Sequence, residues 1–406
     1  MRTLRSFFAF GLVVTWVTTA SAQPEPTPSP SRAHAQTPEP IPPPTPPETE
    51  TTKVTIGGYV ETYYQLNFRA PSNQITNLRG FDNRDRTFTL ENVALDAKGE
   101  RGPLTAHVIL QVGATPSTYY LAEPSRAGAN GANATSSELW KYVQLATVAY
   151  AGPGKVVIDA GLFPSPIGPE VLPIKDNWNW SRSDLFFGLP AYHTGARIAV
   201  PLADGWTGML HVYSGWNSVV DNNRYPSVGA SAAYASKRIN GQVLYFGGIE
   251  RATGAPEGKA WRHLLDAYAT ITLTDELSVL VHGDAGIEPN DLGRSGWVAG
   301  AASAKVQLTP KLYAAARGDY FREYVASEGG VRAAAIFWPT AWIASATATL
   351  ALQPVEGLSV RVELRHDHAK DELFFGGTVE GDGVTTPFVP NRSAQDTVTL
   401  GAVAWF

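Results

Sequence analysis

The spacing between strand-like segments constrains this chain most. From Lys53 onward, apolar residues recur at alternate positions through sixteen stretches: 54–67, 86–98, 103–113, 139–150, 155–163, 191–200, 206–216, 227–236, 241–250, 261–273, 276–286, 296–308, 311–322, 341–352, 357–368 and 395–406. In one of them Leu358, Val360, Val362 and Leu364 alternate with Ser359, Arg361, Glu363 and Arg365. A period of two puts each set on one face of a β-strand. The links after the even stretches are tight, as at Gly99–Gly102, Ala151–Gly154, Pro201–Gly205 and Gln353–Glu356. Those after the odd stretches run longer, over 68–85, 114–138, 164–190, 217–226, 251–260, 287–295, 323–340 and 369–394. Alternation of short and long links, kept in register through the whole chain, is the pattern of an antiparallel transmembrane barrel with tight periplasmic turns and long outer loops. A soluble sandwich has no reason to keep it.

The rest of the chain fits an exported product. Arg2 and Arg5, the apolar run Phe7–Val17 and the small residues Ala20, Ser21 and Ala22 read as a secretory leader over 1–22. Residues 23–52 hold 11 of the 30 prolines and read as an extended polyproline tether, disordered on the periplasmic side, where contact with cell-wall polymer is a candidate role. No later run of about 18 apolar residues occurs, so no transmembrane helix is expected in 53–406. The chain has no cysteine, which excludes a disulfide-stapled module, an acylated lipoprotein anchor and Cys-ligated metal sites. A pI near 5.9 and the lack of a basic block argue against nucleic acid as a partner.

Aromatic placement is consistent with a barrel. Trp206, Trp216, Trp261, Trp297 and Trp342 fall at or next to strand ends, where an aromatic girdle facing lipid and lipopolysaccharide is expected. The last stretch puts Val398, Leu400, Ala402, Ala404 and Phe406 on one face. This resembles the terminal strand of outer-membrane barrels, whose final Phe is read by the outer-membrane assembly machinery; Ala404 departs from that pattern, which usually has a larger hydrophobe there.

The block from Gly161 to Ile198, with GLFPSPIGPE, then NWNWSRSDLFF, then YHTGARI, resembles the OmpL-like outer-membrane β-barrel porin family. The likeness is densest over this block and elsewhere extends only to architecture. It implies an outer-membrane location in a Gram-negative cell, a channel, and by analogy with general porins a homotrimer and a third outer loop folded into the pore. The segment 164–190 suits such a constriction loop, with prolines before Asp176 and a small aromatic set in Trp178, Trp180, Phe186 and Phe187. Its candidate charged residues are Glu170, Lys175, Asp176, Arg182 and Asp184.

Sixteen strands enclose an aqueous channel unless something fills it. Carrying strand parity inward gives Glu61, Asp159, Arg197, Asp266, Asp284, Lys305, Arg317, Asp319, Arg361, Glu363, Arg365 and Asp367 as candidate pore-lining residues, with Asp96, Lys98, Glu250 and Arg262 beside them. The two signs nearly balance, so ion preference is open. The row Arg361, Glu363, Arg365 and Asp367 reads equally as one side of a constriction field or as an ion-pair ladder that fills space.

The expected function is therefore passive diffusion of small hydrophilic solutes through a water-filled channel, with no cofactor, no metal and no catalysis. An adhesin or structural anchor with a closed lumen is the main alternative. An outer-membrane hydrolase is the lesser one, since no G-x-S-x-G or H-E-x-x-H motif occurs. His107, His211 and His282 point inward by parity, and His366 and His368 point to the lipid side.

Overall fold

A computed structural model describes residues 51–128 and 133–406. The expected leader and all but the last two residues of the proline-rich segment lie outside the described residues. Sixteen antiparallel strands form one closed sheet, each paired with its neighbours in sequence and the last with the first. They are β1 (Lys53–Asn67), β2 (Phe88–Arg101), β3 (Leu104–Val112), β4 (Val143–Ala151), β5 (Val157–Pro164), β6 (Tyr192–Ala203), β7 (Trp206–Tyr213), β8 (Ser227–Ala235), β9 (Ile239–Ile249), β10 (Trp261–Thr272), β11 (Leu277–Asn290), β12 (Gly293–Thr309), β13 (Leu312–Tyr324), β14 (Trp342–Leu352), β15 (Leu358–Ala369) and β16 (Ala394–Trp405). A two-residue ladder between Ser327–Glu328 and Val331–Arg332 stands apart from the barrel.

Closure follows the alternation of side chains. β1 pairs with β16 from Tyr59 opposite Trp405 to Asn67 opposite Thr397, so no strand edge is left open to lipid. Leu110, Val212, Leu265, Val281, Val298, Leu350, Leu364 and Leu400 are all exposed on the outer face. An apolar surface of that extent belongs against hydrocarbon and not against water. Their sequence neighbours are directed inward and are mostly polar.

Three expectations need correction. The fourth strand starts at Val143 and not at 139, because Ser136 caps a helical turn over Ser137–Trp140 by accepting from the Leu139 backbone N–H. The expected long link at 287–295 is a tight turn, since β11 and β12 run on to pair Asn290 with Gly293. The tryptophan girdle is also only partly external. Trp206 and Trp261 are exposed on the outside, but Trp297 is fully buried and Trp216 packs beside it. Trp297 shares inward parity with Gly286 across the ladder, and any Cβ at Gly286 would sit 2.0 Å from the indole. The glycine makes the space that draws this ring into the barrel.

The outer half of the interior is not empty. Phe163, Tyr213, Phe246, Leu264, Trp297, Phe321 and Ile343 on the wall pack with Leu185 and Leu189, Trp338, and Leu373 and Phe374 from three different loops. The loops turn into the barrel because these side chains find apolar surface there, away from water.

The two faces predict different tolerance to charge. Leu364→Arg, on the outer face near the middle of β15, should cost about 2–4 kcal/mol of folding free energy. Thr105→Arg, on the inner face, should leave folding nearly unchanged. Denaturant titration of each variant in detergent micelles, scored by heat-modifiable gel mobility, checks both.

Candidate pore lining and inner loop

The connection between β5 and β6 is built to hold a fixed shape. Pro164, Pro166, Pro169 and Pro173 limit its backbone freedom. The Asn177 side chain closes a ring by accepting from Val171 N–H at 3.0 Å and donating to Val171 O at 2.7 Å and Pro173 O at 3.0 Å. Arg182 donates to the carbonyls of Val171 at 3.2 Å, Trp180 at 2.8 Å and Leu172. Ser183 caps the turn Asp184–Phe187 by accepting from Phe186 N–H, and Glu170 accepts from Ser183.

This folded loop is fastened to the inner wall of the barrel. Glu363 accepts from the backbone N–H of Trp180 at 2.5 Å and of Ser181 at 2.9 Å, and from the Thr349 hydroxyl at 2.8 Å. Arg361 donates to the carbonyls of Asn177 at 2.9 Å and Asn179 at 3.0 Å. Arg365 reaches Arg182 O, the Ser181 hydroxyl at 3.1 Å and Asp184 at 3.0 Å. On β13, Arg317 bonds Glu170 at 2.8 Å and Ser181 O at 2.7 Å, while Asp319 accepts from Asp184 N–H at 2.9 Å. Across the barrel, Glu61 accepts from Ile174 N–H at 2.6 Å and Asp266 from Gly168 N–H at 3.2 Å. Trp180 fits against Gly401, where a Cβ would come within 2.3 Å of the ring.

The twelve residues that parity turns inward thus fall into two sets. Glu61, Asp266, Asp284, Arg317, Asp319, Arg361, Glu363, Arg365 and Asp367 are buried, most of them beneath the inner loop. In the row on β15, Arg361, Glu363 and Arg365 grip the loop, and Asp367 receives Arg365 at 2.6 Å and Arg79 of the first outer loop at 3.5 Å. Asp159, Arg197 and Lys305 remain within reach of solvent. Arg197 forms a two-point pair with Asp159, its Nε at 3.0 Å from Oδ1. The Lys305 ammonium lies over the rings of Trp178 and Tyr313. The arc that includes Arg197 also carries His107 paired with Asp96 at 2.8 Å and Lys98 paired with Glu100 at 2.6 Å. Of the loop residues, Glu170, Arg182 and Asp184 are turned into its own anchoring, whereas Lys175 and Asp176 pair at 2.8 Å and stay partly exposed. Glu250 and Arg262 hold the outer rim, Glu250 accepting from Trp216 N–H at 2.8 Å and Arg262 pairing with Glu288 at 2.7 Å.

Parity missed Glu91. The ladder pairs Glu61 with Asn92 and then Thr62 with Leu90, so Glu91 is the extra residue of a β-bulge. Both Glu91 and Asn92 therefore turn inward, and Glu91 accepts from the Trp180 indole at 3.0 Å and lies 3.8 Å from Arg182.

With this geometry in view, the family described as "Putative beta-barrel porin-2, OmpL-like" matches residues 53–406. The chain belongs to this OmpL-like porin family. No curated relative matches it in sequence. Solved structures share the fold at low identity. The outer membrane channel DcaP of Acinetobacter baumannii is 10% identical with a TM-score of 0.55, over 87% of this chain and 97% of that one. The anion-selective porin from Comamonas acidovorans is 12% identical with a TM-score of 0.55, over 88% of this chain and 100% of that one. The trimer form of OmpT of Vibrio cholerae is 10% identical with a TM-score of 0.53, over 88% of this chain and 100% of that one.

For this porin-family barrel, each charge-assisted bond to the loop contributes about 1.5–3 kcal/mol before desolvation is set against it. Glu363→Ala removes two of these and leaves two loop N–H groups unpaired, and it also removes the bond from the Thr349 hydroxyl on the wall. The wild-type loop should resist trypsin in the folded barrel, and the variant should be cut after Lys175 or Arg182, as mapped by mass spectrometry.

A pH effect follows from Asp184. Burial and the adjacent Asp319 carboxylate push its carboxyl well above the usual range, against the pull of Arg365. A carboxyl raised in the folded state contributes stability below its unfolded pKa, near 3.9, and loses that contribution as pH rises towards the folded value. Asp184→Asn cannot ionise. Its apparent unfolding temperature should gain on wild type as pH goes from about 4 to 8, followed by tryptophan fluorescence.

Proposed function

We propose that this barrel is a passive diffusion channel for small hydrophilic solutes across the outer membrane. The observation that carries the proposal is the split of the inner wall. One side is covered by a loop bonded to β1, β2, β10 and β13–β15, and the other keeps Asp159, Arg197, Lys98 and His107 within reach of water. Solutes pass between the loop, with Lys175 and Asp176 at its surface, and that charged arc. The loop over 164–190 acts as the constriction, and selection is by size and local field, with no bond chemistry and no cofactor.

The remaining parts take roles consistent with that reading. The leader over 1–22 directs export, Phe406 and its strand are read during insertion, and the segment 23–52 tethers the barrel on the periplasmic side. The trimer form of the Vibrio cholerae neighbour supports a homotrimer.

A second reading, an anchor with a closed lumen, is favoured by the apolar cluster of Leu185, Leu189, Trp338, Leu373 and Phe374 in the outer half of the barrel. Planar-bilayer recording of the refolded mature chain separates the two. The channel reading expects discrete conductance steps. It also expects the reversal potential in a salt gradient to move towards cation preference in Arg197→Ala and towards anion preference in Asp159→Asn. A folded barrel that passes no current overturns the channel and leaves the anchor.

A further inference from the structure

We propose a divalent-cation site of the zinc class on the inner wall, formed by Asp266, His282 and Asp284 and roofed by Gly168 of the inner loop. One ligand atom from each of the three side chains lies within 4.8 Å of the others. All three side chains are buried. Asp266 and Asp284 are directly opposed in the β10–β11 ladder, which sets two like charges at the closest cross-strand spacing.

The compensating charge in this cluster falls short. His282 Nε2 lies 2.6 Å from Asp266 Oδ2, so even a protonated imidazole neutralises only one of the two carboxylates. Among the described residues, no lysine or arginine forms an ion pair with any of the three. Asp284 Oδ1 accepts from the Trp297 indole at 2.5 Å, and its Oδ2 is buried with no hydrogen-bond partner. Three other buried carboxylates with a spare oxygen have a cation beside them: Arg182 at 3.8 Å from Glu91, Arg365 at 3.0 Å from Asp184 and Arg86 at 3.5 Å from Asp85. Glu61, which forms no ion pair among the described residues, faces Asn92 across the ladder and not a second carboxylate. A buried anionic oxygen with neither proton donor nor cation is costly, and a metal ion removes the cost.

The donors suit the zinc class. Imidazole with two carboxylates is a common set for borderline divalent ions, whereas calcium and magnesium prefer oxygen alone. The Trp297 and Gly168 bonds orient the two carboxylates as outer partners of the ligands. Binding replaces the hydrogen held between His282 Nε2 and Asp266 with the metal, and that proton leaves to buffer. Gly168 closes over the site with φ +77, and a Cβ there would lie 3.2 Å from His282 Cε1. An ion at this position therefore ties the inner loop to β10 and β11.

The test is a ZnCl2 titration by isothermal calorimetry of the full mature chain, refolded in detergent, stripped with EDTA and dialysed, at pH 7.5. Wild type should bind one zinc saturably with proton release. Asp284→Asn, which keeps the acceptor for Trp297, and His282→Gln should each weaken binding at least tenfold, while Arg197→Ala should bind as wild type does. Heat-modifiable mobility confirms folding of each variant. If either ligand variant fails to fold, the Co2+-loaded wild type decides the question by its absorption bands, whose energies report mixed nitrogen and oxygen ligation. Absence of saturable zinc or cobalt binding by folded wild type, or undiminished binding by folded Asp284→Asn, overturns the site. Binding is read without current, so a failed channel and a failed metal site are separate results.

Discussion

A bilayer offers the backbone no hydrogen-bond partner, and each polar group left bare in hydrocarbon costs several kcal/mol. For a chain that crosses as strands, the only complete solution is to join the first strand to the last. The pairing of β1 with β16, from Tyr59 opposite Trp405 onward, is that join. Once the sheet is closed, the two-residue period of each strand divides all side chains between lipid and lumen. Val362, Leu364 and Leu400 face out, while Arg361, Glu363 and Thr399 face in. Every other property of the interior descends from this division.

Closure with sixteen strands creates a second problem. Wall side chains alone cannot fill so wide a lumen. The chain answers with its own connections, among them the segment after β5, whose side chains bond its own backbone and the barrel wall. Beside the apolar contacts of Leu185 and Leu189, its anchoring to β15 uses charge, in Arg361, Glu363 and Arg365. The lipid-facing positions have already taken the apolar residues of that strand, and the inward positions are left for polar ones. Buried ion pairs add little net stability, but an unpaired partner is heavily penalised. They therefore set one position for the loop more than they strengthen it.

The sequence was legible wherever period and spacing carried the information. Strand number and inward parity follow from them, as does the alternation of links except at 287–295, and the family match covers the same residues, 53–406. Three features were not legible, each for a local reason. Glu91 turns inward because a bulge adds one residue to β2, and parity counting has no means of detecting an insertion. Trp297 resembles a girdle residue by its place near a strand end, but the space across the ladder at Gly286 takes it inside. The fate of the row on β15 was undetermined, since a constriction field and a ladder have the same sequence; contact with loop backbone distinguishes them, and that contact joins residues about 180 positions apart.

The cluster at Asp266, His282 and Asp284 shows the same dependence on the third dimension. In sequence these are three unremarkable polar positions on two strands, each with inward parity. Hairpin register makes the carboxylates direct neighbours, and the inner loop then shuts water away from them. Arg317 of β13 and Arg365 of β15 are engaged by the loop at Glu170, Ser181 and Asp184, and the pair Asp266 and Asp284 is left with only an imidazole. Two charges of one sign survive burial only if something of the other sign is buried with them. The wall supplies that counterpart to Asp319 as Arg317, and its lack at the opposed pair Asp266 and Asp284 is what gives the inner loop a place where an ion from solution can fasten it.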